Sequence, residues 1–411
     1  MTARLARAAV LALLERIRTG RLTIVEGSRR TDLGPGGAPA ATVEVRSPAV
    51  WPVLLRGSRG LAESYADGLW ETPDLAAVIR VAARNVGVAD AVRRRLAPVR
   101  EPYTRARDLW RRNTPRRSRA DIAAHYDLGN DLFELMLDPT MMYSCAVWPR
   151  RGATLEEAQT AKLERICAKL DLRPEHHVVE IGTGWGGFAV HAAGRYGCRV
   201  TTTTISAEQH AYAAARVRAA GLEDRVTVLR EDYRDLRGRY DRLASIEMIE
   251  AVGWKDFGTF FACCSNLLAP DGLMVLQAIV ADDRAYAVEK ASRTFIRTYI
   301  FPNGCLPSPE IIARCVARRT DLRAVHAEDL TPHYVETLRS WRANVERSVA
   351  RLAELGYDER FRRLWRLYLA YCEAGFAERR IGLVQAVLGK PLWRGVIAPA
   401  PVASPEPAAT A

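Results

Sequence analysis

The chain contains 411 residues, of which 48% are hydrophobic and 26% are charged, and its formal net charge is +12. These proportions exclude a largely disordered chain, and the length predicts two or three domains because a single core rarely grows beyond about 300 residues. No apolar run approaches the roughly 20 residues that a membrane-spanning helix needs. The eight cysteines lack the spacing of zinc ligands, so we expect a cytoplasmic protein without a metal site.

The first 91 residues predict a small α+β module. An amphipathic helix begins the chain, and two strand-like runs follow at residues 22–25 and 42–45, separated by a turn-rich stretch at residues 33–39. A mostly helical stretch at residues 49–84 completes the module. We expect this module to dock on lipid and to contribute to a homodimer.

Residues 92–119 form a strongly basic segment, with eleven arginines and two acidic residues. Basic side chains beside anionic phospholipid gain about 1 kcal/mol each, and Trp110 suits a membrane interface. The same charge can bind RNA, but the segment contains no recognisable RNA-binding motif. We therefore expect a linker or surface segment that faces the membrane, and no nucleic-acid partner; a plain solvated linker is the alternative.

From residue 120 to residue 397 the pattern changes to alternating strands and helices. Strand-like runs lie at residues 177–181, 199–205, 226–229, 242–246, 273–279 and 381–388. Helical stretches lie at residues 155–170, 188–195 and 207–220, and a helix-rich section spans residues 283–319. Strands that alternate with helices of this length predict an α/β fold with a parallel, doubly wound sheet. The Pro- and Ala-rich residues 398–411 predict a disordered tail.

The most specific local motif is VVEIGTGWGG at residues 178–187. A strand that runs into a glycine turn and then a helix binds an adenosine-bearing ligand. Gly182, Gly184 and Gly187 also satisfy the dinucleotide pattern G-x-G-x-x-G. However, an acid, Glu180, precedes the first glycine, and the second strand lacks the acid that a nicotinamide ribose needs. The motif therefore favours S-adenosylmethionine (SAM).

The third strand ends in Asp232 and Tyr233, where class I SAM-dependent methyltransferases often place an acid and a ring that stacks on adenine. A solvated charged loop is the alternative interpretation of this position. Together with the glycine motif, these residues predict a class I methyltransferase, although the fold alone does not name a substrate.

Six motifs, of which the glycine motif is one, give a resemblance to a known family. They are HYDLGND at residues 125–131, MYSCA at 142–146, GTGWGG at 182–187, SIEMIEAVG at 245–253, YIFPNGCLP at 299–307 and TPHYVETL at 331–338. In this order they resemble the cyclopropane-fatty-acyl-phospholipid synthase family, which includes the mycolic acid cyclopropane synthases. The resemblance covers residues 118–390 and, more weakly, the N-terminal module through GLAESYADGLW at residues 60–70. It implies a Rossmann-like methyltransferase domain with a small N-terminal lipid-binding domain, acting on the double bond of unsaturated acyl chains in phospholipids.

The resemblance also implies which residues contact SAM. They are Tyr143, Ser144, Gly182, Gly184, Trp185, Gly186, Thr204, Ser206, Gln209 and Tyr233. Methyl transfer to an alkene leaves a carbocation, and a base must then remove a proton from the new methyl group so that a cyclopropane ring closes. In relatives a bound bicarbonate looks to be that base, held by the side chains of Glu250 and Tyr334 and by the backbone of Cys145 and Ile279.

One departure from the family pattern concerns the product. Most bacterial relatives carry a histidine where this chain has Gln277, and a glutamine can hydrogen-bond bicarbonate but cannot titrate near neutral pH. Gln277, together with EMIEAVG at residues 247–253, is similar to plant cyclopropane synthases and to actinobacterial enzymes that methylenate oleate on the way to 10-methylstearate. That second pathway needs a partner reductase. The sequence leaves both products open.

The expected enzyme is peripherally bound to the inner face of the membrane and uses SAM and bicarbonate. Residues 295–306, with Tyr299 and Phe301, are the candidate wall of an acyl tunnel. Four later aromatic residues are expected in the core, with a cage around a cation as the alternative: Trp341, Trp365, Tyr368 and Tyr371. A non-catalytic lipid-binding relative and a small-molecule methyltransferase are the alternatives; the intact glycine motif disfavours the first and the basic segment disfavours the second.

Overall fold

A computed structural model of the chain describes residues 2–85, 129–291, 294–302 and 304–397. The basic segment predicted at residues 92–119, the tail at residues 398–411 and most of the motif at residues 125–131 lie outside the described residues. No helix of the described part is long and apolar enough to cross a membrane.

The N-terminal module is built on a four-stranded sheet with the strand order β2-β1-β3-β4. Its elements are α1 (Ala3–Leu14), β1 (Gly20–Glu26), β2 (Arg29–Gly36), β3 (Ala40–Val45), α2 (Val50–Leu54), α3 (Ser58–Ala66), β4 (Trp70–Glu71) and a helix α4 over residues 75–85. The prediction of a turn at residues 33–39 is wrong for residues 33–36, which belong to β2. This strand pairs with β1 there and buries Leu33 opposite Leu22. Gly34 and Gly36 adopt positive φ within this strand, which explains its turn-like composition.

The second unit is a seven-stranded sheet with the order β10-β11-β9-β8-β5-β6-β7. Its strands are β5 (His177–Ile181), β6 (Arg199–Thr203), β7 (Val226–Leu229), β8 (Tyr240–Ile246), β9 (Leu268–Ala281), β10 (Arg323–Asp329) and β11 (Ile381–Gly389). Strands β9, β8, β5, β6 and β7 run parallel, and β11 is antiparallel to β9 and β10. The predicted doubly wound α/β fold is confirmed.

Helices cover this sheet and join it to the N-terminal module. They are α5 (Asn130–Met136), α6 (Leu155–Lys169), α7 (Gly187–Tyr196), α8 (Ala207–Ala219), α9 (Phe257–Leu267), α10 (Tyr286–Ala291), α11 (Pro309–Arg319), α12 (Thr331–Arg347), α13 (Val349–Glu354) and α14 (Glu359–Ala377). Short helical turns lie at Ile249–Ala251 and Ile296–Ile300. Trp341 and Trp365 are both buried between α12, α14 and the rest of the core, as expected.

Helix α14 holds the N-terminal module against the sheet unit. The guanidinium of Arg363 donates to the carbonyl oxygens of Tyr65 at 2.6 Å and Trp70 at 3.2 Å, and it pairs with Glu71. Arg80 and Arg84 on α4 both pair with Glu378, just beyond the end of α14. These contacts fix the module over the carboxyl ends of the parallel strands, which is where doubly wound sheets bind their ligands.

Candidate active site

A single cavity of about 1160 Å³ extends from the glycine motif to the N-terminal module. Most of the residues that the sequence singles out line this cavity: Tyr143, Ser144, Glu180, Gly182, Gly184, Trp185, Thr204, Gln209, Asp232, Tyr233, Glu250, Ile279 and Tyr334. They come from the carboxyl ends of β5, β6, β7, β8 and β9, from the segment before α6 and from α12. The fold therefore brings most of the predicted cofactor and catalytic residues into one space. The exceptions, which do not line the cavity, are Cys145, Gly186, Ser206 and Gln277.

The glycine motif turns the chain sharply between β5 and α7. Gly182 has a φ of 102°, and a Cβ atom at this position would lie 2.9 Å from Cγ of Met248. A Cβ atom at Gly187 would lie 2.5 Å from the carbonyl oxygen of Thr140. Only glycine allows both the turn and this close approach, so the loop lies tightly against the segment that contains Tyr143.

Buried polar side chains support the loop from behind. The Glu180 carboxyl accepts a hydrogen bond from Oγ1 of Thr202 at 2.6 Å, and burial raises its pKa to about 8. Nζ of Lys162, a fully buried residue, donates to Oγ of Ser144 at 2.8 Å, and burial lowers the pKa of this lysine to about 8. The sequence analysis missed Lys162, because a lysine within an amphipathic helix looks like a surface residue.

Several predicted cofactor residues also have a structural role. Oγ of Ser206 accepts from the backbone N–H of Gln209 at 3.2 Å and caps α8, so Ser206, like Gly186, lies behind the cavity wall. The Asp232 carboxylate pairs with Arg234 at 2.7 Å. Tyr233 remains at the wall, where its ring packs edge-on against Phe260 at a centroid distance of 5.7 Å.

Glu247 is a second buried carboxyl group of the site, which the sequence analysis did not include among the candidate catalytic residues. Its Oε1 accepts hydrogen bonds from the backbone N–H of Cys145 and from Nε2 of Gln277, both at 2.8 Å, and its Oε2 accepts from the hydroxyl of Tyr334. Desolvation raises the pKa of this carboxyl, while the three donors hold it down. The signal in the sequence is a second glutamate three residues before Glu250, directly after a parallel strand.

Glu250 lies in a different environment on the same turn. Its Oε1 accepts from the backbone N–H of Ile279 at 2.6 Å, whereas its buried Oε2 has no hydrogen-bond partner among the described residues. Burial, together with the charge of Glu247, raises the pKa of Glu250 to about 8. Glu250 therefore holds a proton at neutral pH, while Glu247 accepts hydrogen bonds as a carboxylate does.

The residues expected to hold bicarbonate do not fit that ion in this fold. The N–H of Cys145, the hydroxyl of Tyr334 and the amide of Gln277 all donate to Glu247, and the N–H of Ile279 donates to Glu250. An anion in the same place would have to displace a buried carboxylate from its three donors, at a cost of about 1.5–3 kcal/mol for each hydrogen bond to a charged group. The carboxylate of Glu247 itself occupies the anion site.

Aromatic rings surround these two carboxyl groups. Tyr334 stacks on Phe376 at a centroid distance of 4.2 Å, and the hydroxyls of Tyr143 and Tyr368 lie 2.6 Å apart. Phe301 lines the cavity as expected. The expectation that Tyr299 also forms the tunnel wall is wrong, because this side chain points to the N-terminal module and its hydroxyl donates to Glu63 at 2.8 Å.

Beyond the carboxyl groups, the cavity continues as an apolar arm into the N-terminal module. Leucine, isoleucine, valine and tryptophan side chains from α1, β1, β3 and α2 form its walls, among them Val10, Leu22 and Trp51. Leu13 and Leu55 line the same cavity and are 59% and 45% exposed. The arm therefore opens to solvent beside two exposed leucines.

Comparisons with known proteins agree with this geometry. A family model described as mycolic acid cyclopropane synthetase matches residues 113–386. The chain is 41% identical over 339 residues to a tuberculostearic acid methyltransferase of Mycobacterium tuberculosis, a match that covers 81% of this chain and 79% of that protein. It is 38% identical over 377 residues to the cyclopropane-fatty-acyl-phospholipid synthase of Escherichia coli K12, with 89% and 92% of the two chains covered.

Solved structures of cyclopropane synthases are also similar to this chain. The cyclopropane synthase MmaA2 of M. tuberculosis superposes with a TM-score of 0.62 at 30% identity, and the mycolic acid cyclopropane synthase CmaA1 complexed with SAH and CTAB superposes with a TM-score of 0.62 at 31% identity. Each match covers 66% of this chain and 98% of the other.

Proposed function

Because the chain belongs to the mycolic acid cyclopropane synthetase family and is a SAM-dependent methyltransferase, we propose that it methylates the double bond of an unsaturated acyl chain in a phospholipid. The observation that carries this proposal is the shape of the cavity. One end is the glycine motif, the other end is an apolar arm, and the carboxylate of Glu247 lies between them. An acyl chain in the arm would place its double bond beside both the methyl donor and a base.

The residues at the glycine end fit SAM. Gly182, Gly184 and Trp185 form the turn, Thr204 and Gln209 hold each other at 2.9 Å at the end of β6, and Tyr233 offers its ring to adenine. SAM supplies an electrophilic methyl group. The protein holds the alkene next to it and excludes water, since an alkene is a poor nucleophile that must be positioned to react.

The aromatic side chains around the carboxyl groups stabilise the positive charge that methyl transfer creates. On methyl transfer the alkene pair would form the new C–CH₃ bond, the S–CH₃ bond would break with its electron pair staying on sulfur, and the other alkene carbon would become a carbocation. Rings attract a cation through their negative faces. Tyr334, Tyr368 and Phe301 line this part of the cavity, so they are placed to stabilise the cation until it loses a proton.

Glu247 acts as the proton acceptor in place of bicarbonate. Its raised pKa makes it a stronger base than an exposed glutamate, and the Cys145 N–H, Gln277 and Tyr334 hold it in position. Glu250 keeps its own proton at neutral pH and so does not compete for the one that leaves the substrate. The proton passes from the new methyl group to Glu247, and the C–H electron pair forms the last carbon–carbon bond.

Two products can result from this carbocation. If the released pair bonds directly to the cationic carbon, a cyclopropane ring forms, as the E. coli relative's name indicates for that enzyme. If a hydride first moves between the two former alkene carbons, the same proton loss gives a methylene group. Gln277 and the 41% identity to a tuberculostearic acid methyltransferase favour this second candidate, for which a reductase would supply the methyl branch.

The apolar mouth beside Leu13 and Leu55 supports peripheral binding to a membrane, because an acyl chain must leave the bilayer to reach the site. The arginines of residues 92–119 would add attraction to anionic lipid. Association as a homodimer stays a prediction from the sequence.

The function is tested by proton NMR of lipid extracted after incubation of the pure protein with SAM and oleoyl phosphatidylglycerol. Upfield ring protons are expected for a cyclopropane, and exomethylene protons for the second candidate. Glu247→Gln should give neither, with turnover lower by roughly 100- to 10,000-fold, the usual contribution of a general base. An unmodified oleoyl chain with the wild-type protein would contradict the proposed function.

A further inference from the structure

A line of buried side chains runs from Glu247 along one face of the sheet to Lys169. Nζ of Lys169 donates to Oε1 of Gln385 at 2.5 Å, Nε2 of Gln385 donates to Oε1 of Gln277 at 3.0 Å, and Nε2 of Gln277 donates to Glu247 at 2.8 Å. The first three side chains are at most 1% exposed. None of the steps proposed above uses Lys169 or Gln385.

The sheet register creates this line. Gln385 on β11 is the direct antiparallel partner of Gln277 on β9, and the backbone N–H of Glu247 donates to the carbonyl oxygen of Gln277 at 2.8 Å. Lys169 ends α6, which packs across the same strands, and its ammonium also pairs with Glu328 at 2.8 Å. Neighbouring elements thus present four polar side chains in sequence along one face.

The lysine fixes the direction of the hydrogen bonds at one end of the line, and at the other end Glu247 and the carbonyl oxygen of Cys145, at 3.2 Å, both accept from Nε2 of Gln277. An ammonium group has donors and no acceptor, so Gln385 must turn its oxygen towards Lys169 and its NH₂ group towards Gln277. Gln277 must then accept with its oxygen and turn its own NH₂ group towards Glu247. If either amide were reversed, two oxygens or two NH₂ groups would face each other inside the protein, where an unpaired polar group costs about 1–3 kcal/mol.

We propose that Lys169 and Gln385 are positioning residues that keep the Gln277 amide turned as a donor towards Glu247. They therefore act on the reaction from outside the cavity, without contact with substrate. The inference rests on the proposed role of Glu247 as the base. It explains why a lysine is buried behind an active site whose cavity it does not line.

Gln385→Glu tests the proposal with almost no change in shape. The new carboxylate still accepts from Lys169, but it can no longer donate to Gln277, so the Gln277 amide turns over and presents its oxygen to Glu247. Lys162, Glu250, Cys145 and Tyr334, the other titratable groups that face Glu247, stay as they are. We expect the apparent pKa of the acidic limb of the kcat–pH profile to rise by about one unit, so that kcat on that limb falls by about tenfold. The dissociation constant of SAM should stay within about twofold.

Lys169→Met provides the second test and Lys169→Arg the conservative rescue. The methionine variant should lose activity on the acidic limb of the kcat–pH profile. The arginine variant should keep the wild-type profile, because a guanidinium group, like an ammonium group, has donors and no acceptor. Lys390→Met is the matched control, because Lys390, just beyond the end of β11, pairs with Asp321 at 2.7 Å and does not belong to this line. Unchanged pH profiles in folded Gln385→Glu and Lys169→Met would overturn the proposal. Full activity in Glu247→Gln would instead overturn the role of Glu247.

Discussion

At the scale of single residues, the site depends on two glutamates that share one turn but not one environment. Glu247 accepts three hydrogen bonds, whereas Glu250 has one oxygen without a partner among the described residues. When the environments of neighbouring carboxyl groups differ in this way, their protonation states diverge at one pH, which is how one site can hold both a base and a neutral acid.

Glu250 should make the protein less stable as the pH rises. Its pKa of about 8 in the folded state exceeds the 4.5 of an unperturbed glutamate, so between these values the folded state holds a proton that the unfolded state has lost. The unfolding free energy therefore falls with pH, by at most ~1.4 kcal/mol per unit. We expect Glu250→Gln to melt higher than the wild type, by a margin that grows from pH 5 to pH 8.

Thermal unfolding at several pH values measures this margin, and Glu223→Gln, at an exposed position, controls for the loss of one negative charge. A constant difference between Glu250→Gln and the wild type would show that Glu250 is already ionised at neutral pH. The same variant should bind SAM normally, because Glu250 lies on the turn after β8 and not on the glycine motif.

At the scale of elements, the cofactor end of the cavity depends on how closely the glycine motif packs against the residues before Tyr143. Gly187→Ala should weaken SAM binding by about tenfold or more, because the added Cβ atom meets the Thr140 carbonyl oxygen at 2.5 Å and Sδ of Met142 at 2.6 Å. The segment before Tyr143 would have to move. Calorimetric titration with SAM measures the effect.

Gly194→Ala is the matched control on the same helix, since its Cβ atom would meet only Cδ1 of Leu222 at an ordinary 3.7 Å. Equal SAM affinities for the two variants would mean that the contact between α7 and the residues before Tyr143 does not shape the cofactor end.

The elements also show what a single sequence can predict. Strands β5 and β6 were predictable because each is a short run rich in β-branched residues between helical stretches. Strand β10 was not, since its residues are mostly exposed and give no apolar run. At the site, the glycine motif was evident from spacing, but Glu247 was not, because its importance comes from three donors that lie on other elements and meet only in the fold.

At the scale of the whole molecule, the N-terminal module and the methyltransferase domain share one cavity, so neither alone encloses the proposed substrate. We expect Leu13→Glu to lower turnover on oleoyl phosphatidylglycerol vesicles by about tenfold or more, because insertion of a leucine into apolar surroundings gains about 1.5–3 kcal/mol. Turnover on detergent-solubilised substrate should change little.

Leu5→Glu is the matched control on the same helix, as Leu5 is 62% exposed but lies away from the cavity. If both variants, or neither, lost vesicle activity, the mouth beside Leu13 would not be the route by which lipid enters.

The most direct test of the central claim, that this methyltransferase carries its own carboxylate base, is the bicarbonate dependence of Glu247→Gly. Glu247 has a φ of 50°, which glycine adopts without strain, so the variant should fold and leave the Cys145 N–H, Tyr334 and Gln277 free to bind an anion. We predict that wild-type turnover is the same with and without bicarbonate, and that Glu247→Gly is inactive until millimolar bicarbonate restores product formation. A wild-type enzyme that stops when bicarbonate is removed would contradict the claim.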